Sequence, residues 1–182
     1  MKTKIYLASL FSVAALVSGC VASRPAQYAN APNLAGPPDN QHCRVYLMRE
    51  NTFQAGGASM LAFDGDKPVG TYGAKGYLVW DREPGQVRLF VTVLAGDKPE
   101  KLIAEGKSRV EIIELHAIQH FDGSPVMGKL EFTAAGGATY YITQKTEVPS
   151  PLSRHGHVRL DLKEVPESVG MATLKKRERV TN

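Results

Sequence analysis

The most constraining feature of the chain is a repeated alternation of apolar and polar residues in short runs that glycine and proline separate. The clearest run covers residues 86–93, with Val87, Leu89, Val91 and Val93 at every second position. Since successive side chains of a strand point to opposite faces, these four residues would share one face. A run of this kind predicts a β-strand with one buried face.

Comparable short runs recur along the chain and predict further strands. They cover residues 44–49, 60–64, 68–70, 77–80, 109–121, 130–132, 140–143 and 158–162. Asp64-Gly65 is a strong turn dipeptide and predicts a hairpin between two of these strands. Such a series predicts a mainly β fold, a single antiparallel β-sandwich of about eight strands over residues 42–166. Residues 167–182 would add a short basic helix or tail.

Composition and charge limit the classes of function. With 182 residues, 43% of them hydrophobic, the chain is long enough for one domain with a real core. The formal net charge is +4, but Lys2 and Lys4 lie in the first 19 residues, so the rest carries about +2. A charge this small predicts no nucleic-acid partner. No run after residue 20 is long and apolar enough for a transmembrane helix.

The first 20 residues have the pattern of an export signal. Lys2 and Lys4 precede an apolar run at residues 5–17, which is too short to span a bilayer comfortably. The run ends in Val17-Ser18-Gly19-Cys20, which resembles the lipobox of bacterial lipoproteins. The resemblance implies a lipoprotein signal peptide at residues 1–19 and a thioether-linked lipid on Cys20. Acylation of the new amine by fatty acids such as palmitate would follow.

Residues 20–41 would then form a lipidated cysteine and a Pro-rich, disordered tether. Four prolines and little charge occur between residues 21 and 41, and a flexible coil of that length spans about 25 Å. Val21 stands where aspartate would favour inner-membrane retention, so the resemblance points to the outer membrane, facing the periplasm. The alternative is an ordinary secretory signal that happens to end near a cysteine.

Strand and turn motifs lie at residues 45–49, 63–70, 84–85, 137–141 and 158–165. In these motifs the domain resembles a family of small bacterial lipoproteins that carry a β-rich domain of unknown function. The pattern of a hairpin followed by Pro84-Gly85 is also similar to PEGA-type surface domains, which are small β-sandwiches. Residues 94–108 and 149–156 depart from the pattern as insertion-like stretches. The resemblance implies the fold and brings no catalytic residue or cofactor.

Four histidines are the candidates for a metal site. His116 and His120 lie four residues apart, and His155 and His157 flank Gly156. If residues 116–120 form a strand, the first two rings project from one face, and four imidazoles together could bind zinc or copper. Neither an HExxH motif nor a cysteine pair accompanies them, so surface or half-buried histidines are the competing interpretation.

Two further features have competing interpretations. Cys43 is either a small buried hydrophobic residue or the source of an intermolecular disulfide. The C-terminal cations could contact anionic lipid or form a solvated helix end. These cations are Lys175, Lys176, Arg177 and Arg179.

Three aromatic residues also have two competing interpretations. Phe53, Trp80 and Phe90 either form an exposed interaction face or pack in the core.

The sequence therefore predicts a non-enzymatic envelope lipoprotein that needs no cofactor. It would be anchored to the membrane through the lipid on Cys20 and would bind an envelope protein or the cell wall. Two alternatives remain at this point. One is a structural subunit of a trans-envelope assembly, and the other is a metal-binding or weakly hydrolytic protein that uses the four histidines.

Overall fold

The structure is a computed structural model that describes residues 36–50, 59–74, 76–94, 99–120, 123–147 and 158–178. The predicted signal peptide, Cys20 and most of the predicted tether lie outside these ranges. Within them, no helix combines the length and the apolar content that crossing a membrane requires.

Eight strands and three helices make up the described chain. The strands are β1 (Cys43–Arg49), β2 (Met60–Asp64), β3 (Lys67–Tyr72), β4 (Tyr77–Arg82), β5 (Gly85–Val93), β6 (Met127–Ala134), β7 (Thr139–Glu147) and β8 (Arg159–Val165). The helices are α1 (Pro99–Ala104), α2 (Arg109–His116) and α3 (Glu167–Glu178). The mainly β composition, the strand number and the C-terminal helix agree with the prediction.

The strands form two four-stranded sheets. Sheet A has the order β4-β1-β7-β8, and sheet B has the order β3-β2-β5-β6. All pairs of sheet B are antiparallel, as predicted. In sheet A, β1 and β7 pair in parallel, with Val45 opposite Tyr140, so the prediction of a wholly antiparallel fold is wrong there. Parallel pairing needs a long connection, and the many residues between β1 and β7 supply one.

The sequence predicts a strand at residues 109–121, and this prediction is wrong for residues 109–116. Residues 109–116 are instead helix α2, which begins with a complete capping box. The Ser108 hydroxyl accepts from the Glu111 backbone N–H, and the Glu111 carboxylate accepts from the Ser108 backbone N–H at 2.9 Å. Because these bonds satisfy free N–H groups of the first turn, they favour helix over the strand that the apolar residues suggested.

One buried cluster draws its side chains from both sheets. It includes Val45 and Leu47 of β1, Ala62 of β2, Leu89 of β5 and Ile142 of β7, all without solvent exposure. At one edge the sheets approach closely, since a side chain on Gly128 of β6 would meet the backbone of Leu160 in β8. The two sheets therefore share their main core.

The outer faces of both sheets are also covered, each by helical residues. On sheet B, Phe63 and Phe90 pack with Leu102 of α1 and Ile112 of α2. This cover explains why β2 is apolar at consecutive positions, because both of its faces are buried.

On the outer face of sheet A, the cover is helix α3. Met48 of β1 and Tyr141 of β7 pack with Leu174 of α3. The helices thus lie on opposite sides of the molecule, α1 and α2 on sheet B and α3 on sheet A.

The predicted hairpin at Asp64-Gly65 is confirmed and has a second role. Gly65 adopts a φ of +62°, which glycine tolerates in the turn between β2 and β3. The Asp64 carboxylate accepts from the Arg82 guanidinium at 2.8 Å and from the Trp80 indole N–H at 3.2 Å. Since Asp64 is in sheet B and its two donors are in sheet A, these bonds tie the sheets together.

Candidate functional site on the α2 side

Four large apolar side chains are exposed on the side of the molecule that carries α2. They are Val110 (49% exposed), Leu115 (70%), Ile118 (41%) and Met127 (38%). We call these four residues the α2 surface. Met127 belongs to it because alternate residues of β6 point to the outer face of sheet B.

The position of α2 follows from its opposite face. Ile112 and Ile113 are buried toward sheet B, which turns Val110 and Leu115 toward solvent. Arg109 fixes the start of the helix, because its guanidinium lies 4.1 Å from the centre of the Phe90 ring and donates to Asp66 at 2.9 Å. A cation over an aromatic face is attracted by the quadrupole of the ring. The burial of Ile112 and Ile113 and the contacts of Arg109 therefore set the orientation of the helix that carries Leu115.

After α2 the chain continues along the edge of sheet B. The Ile118 backbone N–H donates to the Val93 carbonyl at 2.8 Å, and the Val126 N–H donates to the Ile118 carbonyl at 2.7 Å. A turn follows, closed by the His120 N–H to the Ser124 carbonyl at 2.8 Å. These backbone bonds place Ile118 beside the start of β6, where Met127 lies.

An open cleft of about 620 Å³ adjoins this surface. Its lining comes from the turn after α2, the start of β6, the end of β7 and the start of β8: His120, Ser124, Met127, Glu147, Val158, Arg159, Leu160 and Asp161. Met127 belongs to both the cleft and the α2 surface. The two features therefore form one candidate site, apolar on the α2 side and charged on the β8 side.

The charged wall of the cleft is made of cross-strand pairs. Glu147 lies opposite Arg159, and Lys145 lies opposite Asp161. Lys145 also donates to Glu147 at 2.9 Å, and this hydrogen bond, with the charges of Lys145 and Arg159, lowers the pKa of Glu147. The same bond to Glu147 raises the pKa of Lys145. Both signs of charge are therefore present at the rim, and Lys145 and Glu147 form an ion pair there.

The histidine prediction is corrected in one respect. His116 is the last residue of α2 and His120 lies in the turn after it, so the two do not stand on one strand. No three histidine, cysteine or acidic side chains come together as metal ligands in the part of the chain that the structure describes. His155 and His157 lie outside the described residues, so their role stays a prediction.

Cys43 is fully buried, which agrees with the first of its two interpretations. It packs with Val87 and Ala134, and its Sγ lies 3.9 Å from the Glu83 carbonyl oxygen. Burial raises the pKa of the Cys43 thiol above its ordinary value. A thiol held neutral and shielded from solvent is a poor partner for an intermolecular disulfide.

Of the two interpretations of the aromatic residues, packing in the core holds for Trp80 and Phe90. Trp80 packs against the main core, and Phe90 is only 8% exposed beneath α1 and α2. Phe53 lies outside the described residues.

Sequence reasoning missed two features of this region. The α2 surface was missed because Val110, Leu115 and Ile118 lie in residues 109–121, where the apolar pattern predicts a strand. The signal that could have found the helix is Ser108 followed by Glu111.

The other missed feature is a buried polar group in sheet A. Arg49 is 1% exposed and lies opposite Gln144, which is fully buried. The side-chain amide of Gln144 donates to the Thr146 hydroxyl at 2.8 Å. Burial lowers the pKa of Arg49.

No protein-family model, curated protein or solved structure matches the chain.

Proposed function

We propose that this protein is an envelope lipoprotein, anchored through a lipid on Cys20, whose domain is a non-enzymatic module that binds a protein partner through the α2 surface. The single observation that carries the binding role is Leu115, which leaves 70% of its side chain in water on a fixed helix. The anchor is supported by the sequence at Val17-Ser18-Gly19-Cys20. Val21 favours the outer membrane, with the domain in the periplasm.

The energetics favour a partner at this surface. Burying a leucine side chain contributes about 1.5–3 kcal/mol relative to leaving it exposed. Because Leu115 is 70% exposed, the fold gains little of this free energy, and a partner could gain it. Val110, Ile118 and Met127 add partly exposed apolar area on the same side. Apolar patches beside polar rims are typical of protein interaction sites, and the cleft with Glu147, Arg159 and Asp161 supplies such a rim.

We infer that the domain is a β-sandwich. The support is the main buried cluster, to which both four-stranded sheets contribute. Rigid sheets beneath α2 would hold the binding surface in place without a bound ligand, which limits the loss of conformational entropy on association.

The test is in-cell cross-linking of the lipidated protein followed by mass spectrometry, with three variants. Leu115→Asp puts a charge at the centre of the proposed contact and leaves the core intact, because Leu115 is exposed. Ala135→Asp makes the same charge change at an exposed residue between β6 and β7 and serves as the matched control. Cys20→Ala removes the proposed anchor.

We expect one dominant cross-linked partner that is lost in Leu115→Asp and kept in Ala135→Asp. Equal cross-linking by these two variants would overturn the assignment to the α2 surface. Loss of the partner in Cys20→Ala would support the anchor. Recovery of the partner in a fixed stoichiometry, as part of a larger complex, would favour the structural-subunit alternative over a transient binding module.

A further inference from the structure

Helix α3 presents an outward face that combines apolar and basic side chains. Its inner face, with Gly170 and Leu174, is buried on sheet A. Val169 and Met171 are 47% and 41% exposed, and Lys175 and Lys176 are exposed beyond them. On a helix, Met171 and Lys175 are neighbours four residues apart, and Val169 and Lys176 lie two turns apart on one side. We call these four residues the α3 surface.

The predicted tether joins the domain on this same side. Arg44 of β1 is 4% exposed on the outer face of sheet A, where it forms a bidentate ion pair with Asp81 at 2.7 and 2.9 Å. Its guanidinium also donates to the Gly36 carbonyl at 2.7 Å. The chain upstream of Gly36 therefore leaves the domain from the outer face of sheet A.

A continuous set of contacts connects this exit point to α3. Gly170 lies against the ring of Tyr141. The Tyr141 ring stacks on Tyr46 with centroids 5.3 Å apart. Tyr46 and Arg44 are alternate residues of β1 and share a face. The exit of the tether and the α3 surface thus belong to one side of the molecule, opposite α2.

Chain length keeps that side close to the proposed anchor. Gly36 lies sixteen positions after Cys20. A flexible tether of that length, as its sequence predicts, spans about 22 Å. A lipid on Cys20 would therefore hold the outer face of sheet A within a short distance of the membrane surface.

The charges on the helix suit an anionic surface. Lys175 and Lys176 are exposed on the outward side, where lysine stems can lie along lipid while the ammonium groups reach phosphates. Glu167 lies three residues before Gly170, on the edge next to the sheet. Its charge acts on Tyr141, whose pKa is raised first by burial and then by Glu167. Glu167 lies in the first turn of α3, two turns before Lys175 and Lys176.

We propose that the α3 surface docks on the anionic phospholipid membrane to which the chain is tethered, with Val169 and Met171 entering the headgroup region and Lys175 and Lys176 binding phosphates. This inference rests on the lipid anchor of the proposed function. It orients the domain, with α3 on the membrane and the α2 surface facing away toward its partner. Val169 and Met171 lie two residues apart, so they flank the outward side of α3, one beside Lys176 and the other beside Lys175. Apolar side chains next to lysines can enter a membrane interface while the ammonium groups bind phosphates.

The first test uses the mature chain without acylation, with Cys20→Ser, and vesicles of phosphatidylglycerol mixed with phosphatidylcholine at low salt. We expect binding to these vesicles and none to phosphatidylcholine alone. Each lysine near an anionic surface contributes about fivefold in affinity, so Lys175→Glu with Lys176→Glu should weaken binding by at least about 25-fold. Lys67→Glu with Arg88→Glu, both exposed and on sheet B, is the matched control and should bind nearly as the parent does.

The second test uses the acylated protein in the same vesicles, with a fluorophore at Met171→Cys or at Leu115→Cys. Brominated lipid should quench the label at residue 171 and not the label at residue 115. Normal acyl mass on Cys20 with equal quenching at both positions would overturn this inference and leave the anchor standing. Absence of any acyl mass on Cys20 would overturn the proposed function, and this inference with it.

Discussion

Gly170 of α3 and Tyr141 of β7 are in direct contact, with no room for a side chain between them. A Cβ atom on Gly170 would fall inside the van der Waals surface of the Tyr141 ring. Glycine is unfavourable in a helix interior, yet here it lets α3 approach sheet A closely enough for Leu174 to be buried. The close approach explains the presence of a residue that weakens the isolated helix.

Substitution of Gly170 by alanine should therefore destabilise the protein, although alanine is the better helix former. We expect a loss of about 1–3 kcal/mol in the free energy of unfolding, as for overpacking at other tight contacts. Ala172 is exposed on the same helix, so Ala172→Gly should cost about 1 kcal/mol through helix propensity alone. Urea unfolding of both variants measures this, and a more stable Gly170→Ala protein would show that the contact is absent.

Replacing Asp81 should lower the free energy of unfolding more than replacing its ion-pair partner Arg44. The Arg44 side chain is 5% exposed and that of Asp81 is 27% exposed. Asp81→Asn leaves a buried cation without its counter-ion and should cost about 2–3 kcal/mol. Arg44→Met leaves a carboxylate that water can reach and should cost less. Denaturant unfolding of both single variants and the double variant measures the order and the coupling, and equal costs would contradict this asymmetry.

The capping box of α2 should be visible in mutational and pH data. Ser108→Ala removes the acceptor for the Glu111 N–H and should cost about 1 kcal/mol in the free energy of unfolding. The backbone and hydroxyl hydrogen bonds from Ser108 lower the pKa of Glu111 below its ordinary value of 4.5. A carboxylate with a lowered folded-state pKa stabilises the protein above its unfolded-state pKa, and this contribution is lost as pH falls through the folded-state pKa.

Glu111→Gln isolates the pH-dependent part of that effect. The difference in stability between the parent protein and Glu111→Gln should be largest above pH about 4.5 and should shrink as the solution becomes more acidic. Thermal unfolding at a series of pH values measures the difference. A difference that stays constant through the acidic range would mean that the Glu111 carboxylate makes no special contact in the folded state.

Cys43 should be unreactive in the native protein. Its side chain is fully buried and burial raises its pKa, so little thiolate is present at neutral pH and reagents cannot reach it. With Cys20→Ala as background, a thiol reagent should label Cys43 only after unfolding, and non-reducing gels should show monomer. Rapid labelling without denaturant, or a covalent dimer, would restore the intermolecular disulfide as an interpretation.

Much of the strand pattern was predictable because one-sided burial leaves a period of two. The run at Val87, Leu89, Val91 and Val93 is β5, and Asp64-Gly65 is the turn that joins β2 to β3. The failure at residues 109–116 also has a local cause. Val110, Ile112 and Ile113 look like part of a strand, and the capping box that favours helix resides in two polar residues, Ser108 and Glu111.

The candidate site was less predictable than the fold. Its apolar part depends on which side of α2 is buried. That side packs against Phe63 and Phe90 of sheet B, which are distant from α2 in sequence. Its charged part depends on the register of β7 against β8, which sets Glu147 opposite Arg159. Neither relationship can be predicted from the local sequence.

The sequence by itself determined the local structure: where strands alternate, where hairpins turn, and where the C-terminal helix lies. Local steric preference and one-sided burial are enough for these, because they act between residues close together in the chain. Only the tertiary structure decided that β1 pairs in parallel with β7, and that Gly170 sits on Tyr141. It also decided that α2 and α3 lie on opposite sides. Those relationships depend on the packing of residues distant in the chain, since burial rewards whichever surfaces fit together in space.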